Sequence, residues 1–195
     1  MSTRGSYGFK LDGKYYLAYN HHDSYPEGLG QQILDFISYL KLKTNKIIKN
    51  NLQRLEEQEI LNIINAKLKE CINNFIIFEN DGSEISEKFY RERKSYDTLY
   101  EYLVALYDKE CPENRWLLEN DFIKDSLFCE YAYIINVDNG TLDLYNGGQK
   151  EPQEGNPFGI ECNKDKYYPC AVVGSIKFKD IDKIKDLRDY FPDRN

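Results

Sequence analysis

The chain has no long apolar run, no Cys-x-x-Cys pair, only two histidines and no surplus of basic charge. Each absence excludes something. No uninterrupted apolar segment approaches the roughly 18 residues expected of a membrane span. The opening Met1-Ser2-Thr3-Arg4-Gly5 carries nothing like the apolar stretch of a signal peptide. The expectation is a soluble protein of the cytoplasm, away from membranes. The five cysteines, Cys71, Cys111, Cys129, Cys162 and Cys170, are odd in number and have no zinc-site spacing. A disulfide framework and a closed zinc site are both disfavoured, and reduced thiols fit instead. No cofactor or metal is expected. The net charge of -7 argues against general binding to nucleic-acid backbones, which needs cations to displace counterions. An acidic surface suits a basic partner. With no internal repeat and no low-complexity linker, the 195 residues read as a single domain, 1–195.

What is present is apolar periodicity and much tyrosine. There are 17 Tyr against 10 Phe and 1 Trp. Tyrosine suits half-buried sheets and contact surfaces, where the ring is covered and the hydroxyl stays wet. Alternation through Tyr7, Phe9 and Leu11, then Tyr15, Leu17 and Tyr19, predicts a hairpin turning at Asp12-Gly13. Ile33, Phe36, Ile37 and Leu40 predict a helix over Gln31 to Leu42, with Thr44 or Asn45 capping the next one. A second helical stripe runs from Leu52 and Leu55 through Leu61, Ile64, Leu68 and Cys71. Phe75 to Phe78 reads as a short strand or as the buried end of that helix. A further helix is expected from Ser83 or Ser86 through Tyr107, ending at Cys111-Pro112. Phe128 to Asp138 and Thr141 to Tyr145 form a second hairpin about Asn139-Gly140. Gln149 to Tyr168 is a long loop, Ala171 to Phe178 a last strand, and Asp180 caps a final helix. The fold class is therefore α+β: an antiparallel sheet of about five strands with helices packed on it.

The densest chemistry lies in Tyr19-Asn20-His21-His22-Asp23-Ser24-Tyr25-Pro26-Glu27-Gly28-Leu29-Gly30, where the first hairpin leaves the sheet. It holds both histidines, which exchange protons near neutral pH. Extended backbone puts His21 and Asp23 on one face, and His22 and Ser24 on the other. Four readings stand. A local triad of Ser24, His22 and Asp23 has the right groups but needs neighbours to converge. A metal site on His21, His22 and Asp23 lacks visible further ligands. A tight turn would use Asn20 and Asp23 to bond nearby backbone, with Pro26 and Gly28 fixing the path. A ligand-binding loop would turn the same residues toward a cleft. Arg4 precedes the first strand and can pair with Asp23 or hold an anion. Ser2 becomes an N-terminal nucleophile if Met1 is removed, with its own α-amine as base. In Cys129-Glu130-Tyr131-Ala132-Tyr133, alternation puts Cys129 with Tyr131 and Tyr133, as a buried thiol among aromatics.

These residues resemble a group of proteins from bacteria and their phages. That group opens with a Thr-Arg-Gly-x-x-Gly-Phe hairpin followed by Tyr-Asn-His-x-Asp-Ser-Tyr-Pro-x-Gly-Leu-Gly. The matching residues are Thr3-Arg4-Gly5, Gly8-Phe9 and Tyr19 through Gly30, with His22 at the variable position. Glu130 to Ile135 and Leu144 to Gly147 also resemble the group. The chain is loosely similar to N-terminal nucleophile (Ntn) hydrolases as well, and that similarity would make Ser2 the nucleophile, with Asn20 or His21 near the cleft. The resemblance to the phage group, with the acidity and the tyrosines, implies a phage- or prophage-type accessory protein that works by binding. Such a protein would counter a host defence by capturing a host protein or a small nucleotide-like ligand. The expected binding residues are Arg4, Asn20, His21, Asp23, Ser24 and Tyr25. The runner-up is an amidohydrolase acting through Ser2.

Overall fold

The computed structural model describes residues 3–50, 56–79, 93, 95–111 and 113–192. Strands β1 (Gly5–Leu11) and β2 (Lys14–Asn20) form the first hairpin. Its turn has positive φ at both Asp12 (50°) and Gly13 (74°), the conformation that aspartate and glycine tolerate best. The Asp138 carboxylate accepts from both turn amides, at 2.6 and 3.0 Å. Strands β5 (Tyr131–Asn136), β6 (Thr141–Asn146) and β7 (Ala171–Lys177) form an antiparallel meander. The five strands make one sheet in the order β2-β1-β5-β6-β7.

The fold is α+β with five strands in the main sheet, but the sheet is mixed. β1 and β5 pair in parallel, Gly5 with Tyr131 through Lys10 with Asn136. Hairpin turns make every local pairing antiparallel, and the two hairpin units meet across a long crossover that nothing local dictates. A second, two-stranded parallel sheet joins β3 (Ile76–Glu79) to β4 (Arg115–Leu118). β4 has no counterpart in the sequence reading, while the segment read as Phe75 to Phe78 resolves as a strand over Ile76–Glu79. Asn120, just past β4, covers the outer edge of β2. Its side chain accepts from Leu17 N at 2.9 Å and donates to Tyr15 O at 3.0 Å. A side-chain amide thus stands in for a neighbouring strand.

Helices cover one face of the sheet. Helix α1 (Gln31–Asn50) is longer than expected. Thr44 does not cap a new helix. It lies four residues after Leu40 and four before Ile48, and all three are buried on one stripe. Helix α2 (Glu57–Asn73) starts where Glu59 accepts from the backbone N–H of Glu56. Helix α3 (Leu99–Asp108) begins at Thr98, whose hydroxyl accepts from Glu101 N while the Glu101 carboxylate accepts from Thr98 N. That capping box, after non-helical residues 95–98, separates α3 from any helix begun at Ser83 or Ser86. Ser83 and Ser86 lie outside the described residues, as do Leu52, Leu55 and Pro112. The expected final helix is two short 3₁₀ segments, Phe178–Lys183 and Leu187–Tyr190. Extended Ile184 ends the first, and Asp186 caps the second by accepting from Arg188 N.

The main core lies between helices and sheet and includes Phe9, Tyr133, Leu144, Ile37, Leu68 and Leu103. Trp116, fully buried on β4, binds the small sheet to it. The indole stacks on Phe75 at 5.0 Å and meets Phe9 at 5.3 Å and Tyr7 at 5.7 Å. The other sheet face carries Leu17, Ala132, Ile134 and Tyr145. Irregular chain covers it through Ile123, Cys129, Cys170 and Phe158. Cys129 therefore faces away from Tyr131 and Tyr133. Its amide closes a turn onto Asp125 O, so β5 starts two residues later and the alternation does not reach back to it. Trp116→Ala should lower unfolding stability by about 3–5 kcal/mol, as expected for a truncated core aromatic. Urea denaturation measures this, and a loss near zero would remove Trp116 from the core's centre.

Candidate functional site

The exit loop from β2 is built around Ser24, which has no solvent exposure. Its N–H donates to Thr3 O at 3.2 Å, and its carbonyl accepts from the Tyr133 hydroxyl at 3.0 Å. Its hydroxyl accepts from Asn20 Nδ2 at 2.8 Å, and the same amide donates to His22 O. Asp23 takes a left-handed conformation (φ 53°), and its carbonyl accepts from Leu29 N at 2.9 Å. The chain then makes one wide π turn over Pro26–Gly30 and enters α1. Gly5 permits the docking. A side chain there would overlap the Tyr131 carbonyl and place its Cβ 2.7 Å from Ser24 Cβ. Gly28 is equally constrained, because a Cβ there would strike the Asp23 carbonyl.

This is the hydrogen-bonded turn among the four readings, with Asn20 and Ser24 inside the frame. Asp23 contributes its backbone, and its side chain is exposed. The serine hydroxyl beside the histidines is buried and already engaged. Among the described residues, no cluster of three His, Cys, Asp or Glu is placed to hold a metal.

Arg4 and His21 come together through Tyr19, which the sequence reading left out of the site. The Tyr19 hydroxyl lies 2.5 Å from His21 Nδ1. Loss of solvent raises the Tyr19 phenol above its ordinary value, and Arg4, hydrogen-bonded to it, partly offsets that rise. The phenol thus keeps its proton at neutral pH. The Arg4 guanidinium also lies over the Phe128 ring at 4.6 Å, a cation–π contact. Tyr19 meets Phe122 edge-on at 4.7 Å, and His21 meets His22 edge-on at 4.2 Å. Phe128 is 39% exposed. Tyr25 stands apart from this group. It packs near Tyr131 at 6.3 Å, toward the helical face, and is 40% exposed.

Phe122 links the cluster to a trough of about 820 Å³ lined by Glu79, Glu119, Asp121, Phe122, Lys124 and Asp125. The trough carries four carboxylates and one lysine, and Lys124 already pairs with Asp121 at 2.6 Å. It continues past Leu118 and Asn120 into a second recess of about 790 Å³, bounded by Tyr15, Tyr16, Ile77 and Phe158. The signal for this feature was the run Glu119-Asn120-Asp121 after apolar Leu118, with Asp125 following one turn later. Ser2 lies outside the described residues, although its neighbour Thr3 is buried against Ser24. No described helix is long and apolar enough to cross a membrane. Comparison with protein-family models, curated proteins and solved structures finds no match to the chain.

Two substitutions test the frame. Ser24→Ala should cost about 1 kcal/mol, the net worth of one hydrogen bond. Gly5→Ala should cost more, about 1–3 kcal/mol, because backbone must shift to admit the methyl group. Urea unfolding of both variants measures the order, and a neutral Gly5→Ala would contradict the docking of Ser24 on β1.

Proposed function

We propose that the chain acts by binding, and that it captures a protein partner on the surface formed by the exit loop and the acidic trough. This is the role of a phage or prophage accessory protein that neutralises a host defence component in the bacterial cytoplasm. The observation that carries the reading is the division of labour in the loop. Asn20 and Ser24 are consumed in fixing the backbone, which leaves Arg4, Tyr19 and His21 as a preorganised outer cluster. A contact surface held in place before binding loses little entropy on association. The trough beside it favours a basic segment of the partner, since Glu79, Glu119, Asp121 and Asp125 repel an anion. Aromatic groups with a single arginine are the usual anchors of protein interfaces.

Charge reversal provides the test. Affinity capture from infected-cell lysate should retain a basic protein on the wild-type chain, and binding should weaken with added salt. Asp121→Lys with Asp125→Lys should abolish capture, and His21→Ala should weaken it, while thermal unfolding midpoints stay close to wild type. Undiminished capture by the reversed variant would refute the trough as the docking surface.

A second reading, hydrolysis by Ser2 with its own α-amine as base, draws support from Thr3, whose carbonyl is tied to Ser24 N beside Asn20 and His21. Intact mass spectrometry decides whether it survives. It requires loss of Met1 and loss of amide hydrolysis in Ser2→Ala, and a retained Met1 would end it.

A further inference from the structure

A separate cleft lies on the helical side, and the proposed binding surface does not use it. It is a cleft of about 230 Å³ between α1, α2 and α3. Three lysines reach it from three helical segments: Lys43 from α1, Lys67 from α2, and Lys109 just past the end of α3. In a chain of net charge -7, this is a local concentration of cations. Two carboxylates accompany them. Asp108 pairs with Lys43 and accepts from the Tyr39 hydroxyl at 2.6 Å. Glu70 pairs with Lys109 at 2.7 Å, and both of these side chains are more than half exposed at the mouth. Lys67 makes no ion pair among the described residues, although Glu70 feels its charge, and three lysines against two carboxylates leave the balance of the cleft positive.

The wall also contains a buried polar atom without a partner. Asn114 Oδ1 is buried and has no hydrogen bond among the described residues, while the Tyr107 hydroxyl is hydrogen-bonded to Thr44 and has its own proton left to give. Buried polar atoms left unpaired are costly, and they call for a missing partner. Tyr107 can donate, and the Asn114 amide can do so once its oxygen and nitrogen exchange places. Burial pushes the Tyr107 hydroxyl up to about 12, so it keeps its proton for donation. The Cys71 thiol on the same wall is likewise pushed up to about 12 by burial. It is a poor nucleophile there, and the cleft is built to bind rather than to react.

We infer that this cleft binds a small phosphorylated metabolite, with Lys67 and Lys43 on the phosphoryl oxygens and Tyr107 and Asn114 completing the ring of donors. Lysine is a common point-charge binder of phosphate. The volume falls below the roughly 300–1,000 Å³ of ordinary ligand pockets, so the organic part is no larger than a sugar. The acidic trough and this cleft then have opposite ligand preferences, and the inference does not depend on the trough's role.

Isothermal titration of the full chain with ribose 5-phosphate, inorganic phosphate and ribose tests it. The phosphorylated sugar should bind, inorganic phosphate should compete with it, and ribose alone should show no heat. Lys67→Ala should weaken binding by about tenfold or more, and Lys67→Arg should retain most of it. Asn114→Ala should weaken binding as well, while circular dichroism confirms the fold of each variant. Absence of binding by both phosphate-bearing probes at millimolar concentration would overturn the inference. So would equal binding by wild type and Lys67→Ala.

Discussion

The parallel pairing of β1 with β5 is the constraint on which the rest of the molecule depends. It joins two antiparallel units from opposite ends of the chain into one sheet. It brings Tyr133 under the exit loop, where the phenol donates to Ser24 O. It also requires the close approach at Gly5, since β5 and the loop press on that position together. Pairing strands so distant in sequence carries a closure cost that local hairpins avoid. The buried ring cluster of Tyr7, Phe9, Phe75 and Trp116 offsets part of it on one face. Leu17, Ala132 and Ile134, under the irregular layer, contribute on the other.

That geometry explains why the densest polar stretch in the chain is mostly architectural. Asn20, Asp23, Ser24, Gly28 and Tyr133 form a closed set of contacts, each depending on the position of the next. The histidine rings and the Arg4 guanidinium lie outside this set. Tyr19 connects the two, because its backbone belongs to β2 and its hydroxyl reaches both His21 and Arg4. A rigid frame that holds Arg4, Tyr19 and His21 in place at its edge fits the proposed binding role, and the buried, engaged Ser24 hydroxyl does not fit chemistry there.

Local signals in the sequence were read correctly where local physics decides. Asp12-Gly13 and Asn139-Gly140 turn the two hairpins, and the Ile33–Leu40 periodicity marks α1. The misreadings occur where tertiary packing wins. Thr44 resembles a cap but sits on a buried stripe, and Ile184 interrupts a pattern that would otherwise continue as a helix. The direction of β1 against β5 leaves no trace in either strand's alternation, because parallel and antiparallel strands share a period of two. At the candidate site, Arg4 and His21 were legible as chemistry, and Asn20 and Ser24 as residue types. Tyr19 was read as the last strand tyrosine and the start of the polar stretch but not as a binding residue, since its role comes from Arg4 across the hairpin and from His21. The trough was missed because Glu79 joins Glu119 and Asp121 only through the β3–β4 pairing.

The central claim is that the exit loop is a fixed part of the sheet. Native-state hydrogen exchange, read amide by amide, tests it most directly. Ser24 and Leu29 should exchange as slowly as the β1 amides, because their N–H groups are held by Thr3 O and Asp23 O. Exchange of those two amides as fast as the exposed chain around Gly155 would show a loop that opens independently of the sheet, and would contradict the account.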